Sequence, residues 1–171
     1  DRPKVVQIVK LFCEGVGVRA CARLTDCDPH TVLNVLESVG EKFEQFHDKW
    51  LCNVTTDSIQ IDELWARVGV SESRRKLFET ERGGFYTFLA ITAREKLIVS
   101  HYTGKRDNVS TDFFIEDTAS RIAGRVQVTT DGWHAYPNAL RRYLLDRLDY
   151  AIMQKNFAAP PGEVQAARRY S

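Results

Sequence analysis

Two aspartates stand out among the acidic side chains of this chain of 171 residues. Asp62 lies in the middle of a predicted strand, where aspartate is disfavoured, and Asp131 closes an apolar strand just before Gly132. Acidic side chains near the ends of central strands can face one another across a sheet, and two such carboxylates repel unless a cation lies between them. Carboxylate oxygens are ligands for Mg²⁺ or Mn²⁺, so the pair predicts a metal site.

A carboxylate site of this kind, holding two ions, would bind both the attacking and the leaving oxygen of a phosphodiester. The chemistry needs no catalytic serine or cysteine and no covalent intermediate. A purely structural interpretation exists for each residue: Asp62 as a charge that keeps an edge strand soluble, and Asp131 with Gly132 as an ordinary turn. Residue types and spacing leave both interpretations open.

The residues after position 50 predict the elements that would hold these aspartates. Alternation over 59–65 indicates a strand, and the apolar runs 85–91 and 97–102 indicate an antiparallel hairpin. A helix capped by Asn108 or Ser110, a strand over 125–130, a helix near 138–145 and a strand near 150–153 follow. This order predicts an α/β fold with a mixed sheet and helices on its faces. It is also the order of the ribonuclease H-like fold, although strand order does not fix function.

The first 50 residues have helical periodicity instead. Glycines at 15 and 17 end a first apolar helix, a short second helix follows over 18–24, and Asp28-Pro29 is a strong start signal for a third. Apolar residues at positions 32, 35, 36, 39, 43 and 46 predict one buried stripe on that third helix. Three helices with a tight turn between the last two match a helix-turn-helix module, which we assign to 1–50, with a second domain over 51–171.

In a helix-turn-helix, the third helix enters a major groove with its first turn facing the bases. His30, Thr31 and Asn34 are then the exposed residues that read DNA. A helical packing module without DNA contact is the other interpretation. The net charge of +1 excludes a uniformly basic nucleic-acid binder but permits a local basic groove.

The overall composition excludes two further classes of protein. With 43% hydrophobic and 27% charged residues the chain has enough apolar side chains for a packed core. Its apolar runs are far shorter than the roughly 20 residues needed to span a bilayer, so we expect no membrane partner. The four cysteines form no CxxC pair, which favours reduced thiols in a cytosolic protein over a zinc site.

Four short segments, in this order and spacing, resemble DDE transposases of bacterial insertion sequences, of the insertion-element-one type. The likeness covers most of residues 5–157, including the helical module. The segments are Ile61-Asp62-Glu63-Leu64-Trp65, the run 85–91, Gly104-Lys105-Arg106-Asp107, and Thr129-Thr130-Asp131-Gly132-Trp133 with Tyr136.

The resemblance implies a ribonuclease H-like catalytic domain that cleaves phosphodiester bonds and transfers strands of an insertion sequence with Mg²⁺ or Mn²⁺. It implies that Asp62 and Asp131 are the first and second catalytic, metal-binding aspartates, and that the helical module binds the terminal inverted repeats. For Lys105 and Arg106 we predict contact with DNA phosphate, with a solvated loop as the alternative. The implied partners are double-stranded element ends and target DNA, bound by a homo-oligomer in the bacterial cytoplasm, at the nucleoid.

The third acid of the family is a glutamate on a helix after the last strand, followed by arginine and a polar residue. No such segment occurs here; Glu163 is one candidate for the third acid, although it follows Pro160-Pro161-Gly162 and lacks those flanking residues, and the other candidate is a glutamate beyond Ser171. We therefore expect the catalytic domain to be truncated at its C-terminus and this fragment to be inactive by itself. The alternative function is a non-catalytic DNA-binding protein derived from a transposase.

Overall fold

The computed structural model of the chain describes residues 2–70 and 81–153. Two compact units share the chain, the first ending at Cys52 and the second beginning at Asn53. Glu163 lies outside the described residues. Among the described helices, none combines the length and the hydrophobicity that crossing a membrane requires.

The first unit consists of α1 (Arg2–Cys13), α2 (Val18–Thr25) and α3 (Pro29–Trp50). The predicted start of α3 is confirmed: Asp28 is the N-cap, its side chain accepts a hydrogen bond of 2.8 Å from the backbone N–H of His30, and Pro29 occupies the first helical position. Three helices therefore pack around a small core whose buried members are Ile8, Cys21, Ala22 and Val32.

The predicted buried stripe on α3 is wrong beyond its first turns. Val32 is fully buried and Val35 packs against the core, but Phe43 and Phe46 are each 59% exposed. The reason lies in the lengths of the helices, since α3 has 22 residues whereas α1 has 12 and α2 has 8. Periodicity identifies the apolar face of a helix, but it does not say how far another element covers that face.

In its described residues, 53–70 and 81–153, the second unit is a five-stranded mixed sheet with helices, as predicted. Its strands are β1 (Ser58–Val68), β2 (Gly83–Thr92), β3 (Ile98–Gly104), β4 (Val126–Thr130) and β5 (Leu148–Ile152), and its helices are α4 (Asn108–Arg121), α5 (Tyr136–Leu144) and a 3₁₀ turn (Leu145–Arg147). The strands lie in the order β3-β2-β1-β4-β5. The first three pair antiparallel, whereas β4 runs parallel to β1 and β5 parallel to β4.

The core of this unit lies between one face of the sheet and the two helices. Ile59 and Ile61 of β1 are buried, while Gln60 and Asp62, which alternate with them, are exposed. Side chains alternate between the two faces of a strand, so Asp62 points to the face opposite the helices. The core residues of the other elements are Phe88, Ala90, Val99, Phe114, Ile115, Ala119, Val126, Val128, Tyr136, Leu140 and Leu144.

The residue that caps the N-terminus of α4 differs from the two that the sequence analysis proposed. Asp107 is the N-cap of α4, and its Oδ1 accepts a hydrogen bond of 2.8 Å from the N–H of Ser110. The prediction of Asn108 or Ser110 as the cap is therefore wrong. Aspartate reaches the N–H three residues ahead as well as asparagine or serine would, and the Gly-Lys-Arg-Asp segment thus ends in the residue that starts α4.

Candidate active site

Strand register brings Asp62 and Asp131 to the same level of the sheet. Gln60 of β1 pairs with Thr129 of β4, and each aspartate lies two residues further along its chain. Adjacent strands lie about 4.8 Å apart, and the two aspartates line one open cavity of about 330 Å³. The two aspartates that the sequence singled out therefore line the same cavity.

This cavity lies on the sheet face opposite α4 and α5. Its polar lining comes from Gln60, Asp62, Thr129, Thr130 and Asp131, and its apolar lining from Ile61, Leu64, Leu89, Ile91 and Met153. Asp62 and Asp131 thus contribute to the polar lining of a single cavity.

The two carboxylates differ in how firmly the protein holds them. Asp62 is exposed, and its Oδ1 accepts a hydrogen bond of 2.9 Å from the next backbone N–H, that of Glu63. Asp131 is held at both oxygens: Oδ1 accepts from the N–H of Trp133 at 2.9 Å, and Oδ2 accepts from Nη2 of Arg106 at 2.9 Å. Asp131 thus has a fixed orientation at the end of β4, since separate donors hold its two oxygens.

Glu63 lies on the opposite face of β1 from Asp62 and has only 4% of its side chain exposed. Its Oε1 accepts a hydrogen bond from the hydroxyl of Tyr136, and its Oε2 accepts from Nη2 of Arg106 at 3.3 Å. Burial raises the pKa of Glu63 above its ordinary value, while the hydrogen bond from Tyr136 and the charge of Arg106 act in the opposite direction. Burial and the neighbouring Glu63 raise the pKa of Tyr136 as well.

Arg106 joins the two acids Glu63 and Asp131. Its guanidinium carbon lies 4.4 Å from the ring centroid of Trp133 and 5.7 Å from that of Tyr86. Its Nε is buried and has no hydrogen-bond partner among the described residues. The side chain is 31% exposed, so Arg106 lies at the rim of this network and faces solvent in part.

Lys105, its neighbour, is also engaged within the protein. Nζ of Lys105 donates hydrogen bonds to the carbonyl oxygens of Arg82 at 3.0 Å and Gly84 at 2.9 Å. It also lies 3.8 Å from the ring centroid of Phe85. Contact of Lys105 and Arg106 with DNA phosphate stays a prediction, but both side chains already have partners in the second unit.

The three predicted DNA-reading residues lie at the start of α3 in the first unit. His30, Thr31 and Asn34 are all exposed there. The turn before α3 contains Asp26 in the left-handed conformation, with φ of 50°. Exposure of these side chains is what base contact requires, and the contact itself stays a prediction.

Asp62 and Asp131 fit a role as ligands of a divalent cation. Mg²⁺ is commonly held by one or two carboxylates, with waters and substrate phosphates completing its shell. Within residues 2–70 and 81–153, no group of three or more His, Cys, Asp or Glu side chains is arranged to hold a metal. Glu63 does not supply a third ligand, because its carboxylate is bound to Tyr136 and Arg106 on the other face of β1.

The roles of Glu63 and Tyr136 escaped the sequence analysis. Both residues occur within the segments that carry the family resemblance, yet no role followed from their types. Strand alternation next to Asp62 was the available signal, since it places Glu63 on the face that the helices bury. A buried glutamate requires partners, and those partners lie 43 and 73 residues away in sequence.

Neither a family model nor a curated protein matches this sequence. Among solved structures, the chain is similar to a piggyBac transposase in a cryo-EM structure of its synaptic complex with hairpin DNA, at 13% identity and a TM-score of 0.45. The match covers 90% of this chain and 37% of that one, so the chain spans well under half the length of the protein that it resembles. A likeness at this level assigns neither a family nor an activity.

Proposed function

We propose that the second unit is the catalytic core of a DNA transposase that cleaves and joins the ends of an insertion sequence with a divalent metal. The observation that carries the proposal is the position of Asp62 in β1 and of Asp131 directly after the neighbouring parallel strand β4, where both line one cavity. The strand order β3-β2-β1-β4-β5 supports a ribonuclease H-like fold. The resemblance of the four sequence segments supports the same family.

The proposed mechanism assigns Asp62 and Asp131 as the protein's ligands to Mg²⁺ or Mn²⁺. When bound, such an ion activates the attacking oxygen and stabilises the leaving oxygen of a phosphodiester. Asp131 is presented in one orientation because its two oxygens are held by Trp133 and Arg106. Asp62 is exposed and lines the cavity, on the sheet face opposite α4 and α5.

The first unit supplies recognition in this proposal. Its third helix presents His30, Thr31 and Asn34 to the major groove of a terminal inverted repeat, and base contacts there specify sequence. Paired ends require more than one copy of the protein, which acts as a homo-oligomer on double-stranded DNA at the bacterial nucleoid.

A second candidate is a DNA-binding protein without catalysis. The ion pair of Arg106 with Asp131, at 2.9 Å, favours it, because a positive charge at one of the two carboxylates opposes binding of a cation. In this candidate the second unit is a folded scaffold, and the first unit alone carries the activity.

The test is strand transfer by the full-length protein, with the DNA that flanks its coding sequence as the donor duplex and a supercoiled plasmid as the target. In Mg²⁺ or Mn²⁺ the wild type is expected to join donor to plasmid. Asp62→Asn and Asp131→Asn are expected to bind the donor as wild type does and to join none of it. Asp57→Asn is the matched control, since Asp57 is an exposed aspartate just before β1 and does not line the cavity.

Joining by either the Asp62 or the Asp131 variant would refute the assignment of that residue. Donor binding by the wild type without cleavage or joining in either metal would refute the enzyme and support the second candidate.

A further inference from the structure

Arg106 bridges two carboxylates that have very different surroundings. Nη2 lies 3.3 Å from Oε2 of Glu63, which is 4% exposed, and 2.9 Å from Oδ2 of Asp131, which is 31% exposed. A buried carboxylate without a partner is strongly unfavourable, so Glu63 holds the guanidinium in place. Because Glu63 is in turn bound by the hydroxyl of Tyr136 at the start of α5, the anchor of Arg106 is part of the packed core.

The ring of Trp133 fixes the plane of the same guanidinium. The guanidinium carbon lies 4.4 Å from the centroid of that ring, a distance at which a cation over an aromatic face is attracted. Lysine has neither the planar fork nor the stacking surface of arginine. The contact with the Trp133 ring therefore depends on arginine, whereas the single atom Nη2 donates to both Glu63 and Asp131.

Because Arg106 is held in place, it in turn holds the carboxylate of Asp131. This residue follows the last residue of β4 and precedes a glycine, so the strand ladder does not restrict its side chain. Its orientation comes from two donors, the N–H of Trp133 to Oδ1 and Nη2 of Arg106 to Oδ2. Partners that fix the direction of a ligand's free lone pairs govern how well that ligand binds a metal.

We infer that Arg106 is a positioning residue, anchored by Glu63 and Trp133, which fixes the carboxylate of Asp131 for cation binding. The inference rests on the proposed function, because it concerns the same cavity. It gives Arg106 a role other than contact with DNA phosphate, and it makes Glu63 an anchor and not a third metal ligand.

The direction in which metal affinity changes when Arg106 is replaced distinguishes a positioning role from competition with the metal. A guanidinium that only competed with the metal for Asp131 would weaken metal binding, and its removal would strengthen binding by relief of charge repulsion. A positioning guanidinium gives the reverse, since its loss frees the carboxylate to rotate. Replacement of a residue that orients a metal ligand typically lowers metal affinity by roughly 10- to 100-fold.

The experiment titrates Mn²⁺ alone into the full-length protein and follows free Mn²⁺ by electron paramagnetic resonance. Asp62→Asn defines the site as the binding that this variant removes. Arg106→Gln is expected to weaken that binding by about tenfold or more, and Arg106→Lys to weaken it less. Arg125→Gln is the matched control, because it removes an exposed arginine paired with Asp149 in the same unit, and it is expected to bind Mn²⁺ as wild type does.

Thermal unfolding of each variant is measured in parallel, and affinities are compared well below every melting temperature. A purely structural role would lower the melting temperature of Arg106→Gln and leave the affinity of the folded protein unchanged, which would overturn the inference. Tighter Mn²⁺ binding by this variant would overturn it as well. If Arg106→Gln does not fold, Arg106→Lys carries the test, and wild-type affinity in that variant would overturn the inference.

Failure of the proposed function gives a different result. Wild-type protein without any Mn²⁺ binding that Asp62→Asn removes would overturn the metal site, and the role of Arg106 with it. Normal binding in the wild type together with unchanged binding in Arg106→Gln would overturn the role of Arg106 alone.

Discussion

Replacement of Tyr136 by phenylalanine removes one hydroxyl from the centre of the buried network. The ring of Tyr136 is fully buried, and its hydroxyl donates to a carboxylate oxygen of Glu63 whose side chain is 4% exposed. Phenylalanine keeps the ring, so the change creates little empty space. A hydrogen bond to a charged group contributes about 1.5–3 kcal/mol, and Glu63 keeps its second partner Arg106. We therefore expect Tyr136→Phe to destabilise the second unit by about 2 kcal/mol.

The loss of stability in Tyr136→Phe should depend on pH, and its direction depends on whether Glu63 is ionised or protonated. The folded-state pKa of Glu63 is raised by burial, so the stability linked to its protonation is present at low pH and lost as pH rises through that raised pKa. The Tyr136 hydroxyl favours the ionised form, and its removal raises the pKa of Glu63 further. Destabilisation should therefore be greatest at pH 8 and fall to about 1 kcal/mol at acid pH, where a neutral pair replaces a charged one.

The assay is urea unfolding followed by tryptophan fluorescence, with Trp50→Phe in every variant so that Trp65 and Trp133 report on the second unit. With a denaturant slope of about 2 kcal/mol per M, the expected loss lowers the midpoint by about 1 M. The control is Tyr102→Phe, the same atomic change at a ring that packs against Phe88. Equal shifts in Tyr136→Phe and Tyr102→Phe, or a greater loss at acid pH than at pH 8, would refute the reasoning.

Three further substitutions test other parts of the account. Asp107→Ala should cost about 1 kcal/mol of stability through loss of the α4 cap, whereas Asp107→Asn should restore most of it; equal losses in urea unfolding would exclude capping. Gly104→Ala places a Cβ 2.7 Å from the Tyr102 ring and 2.8 Å from Oγ of Ser110, so a drop of about 1–3 kcal/mol is expected from overpacking, and unchanged thermal stability would contradict it. Asn34→Ala should weaken binding to the terminal repeat by about 1–3 kcal/mol and leave an unrelated duplex unaffected in a gel-shift assay; equal losses on both would point away from base contact.

Local signals in the sequence predicted local structure well. Asp28-Pro29 starts α3 as its side-chain chemistry requires, and the alternation around Asp62 predicts a strand that the structure contains. These features depend on neighbours within a few residues, which a sequence displays directly.

The sequence could not predict contacts between elements that are distant in the chain, because these depend on how the elements pack. Phe43 and Phe46 follow the apolar period of α3, but α1 and α2 are too short to cover them. The network of Glu63, Arg106 and Tyr136 joins β1, the loop before α4 and the start of α5. Only the packed fold joins these three residues, of which Glu63 and Tyr136 are buried and Arg106 is partly exposed.

The most direct test of the central claim is the position of a metal in a crystal of the protein soaked in Mn²⁺. Anomalous scattering locates Mn²⁺ without reference to any expected site. The account predicts a peak within coordination distance of both Asp62 and Asp131, in the cavity between β1 and β4. A fully occupied peak elsewhere on the second unit, with none at these two carboxylates, would contradict it.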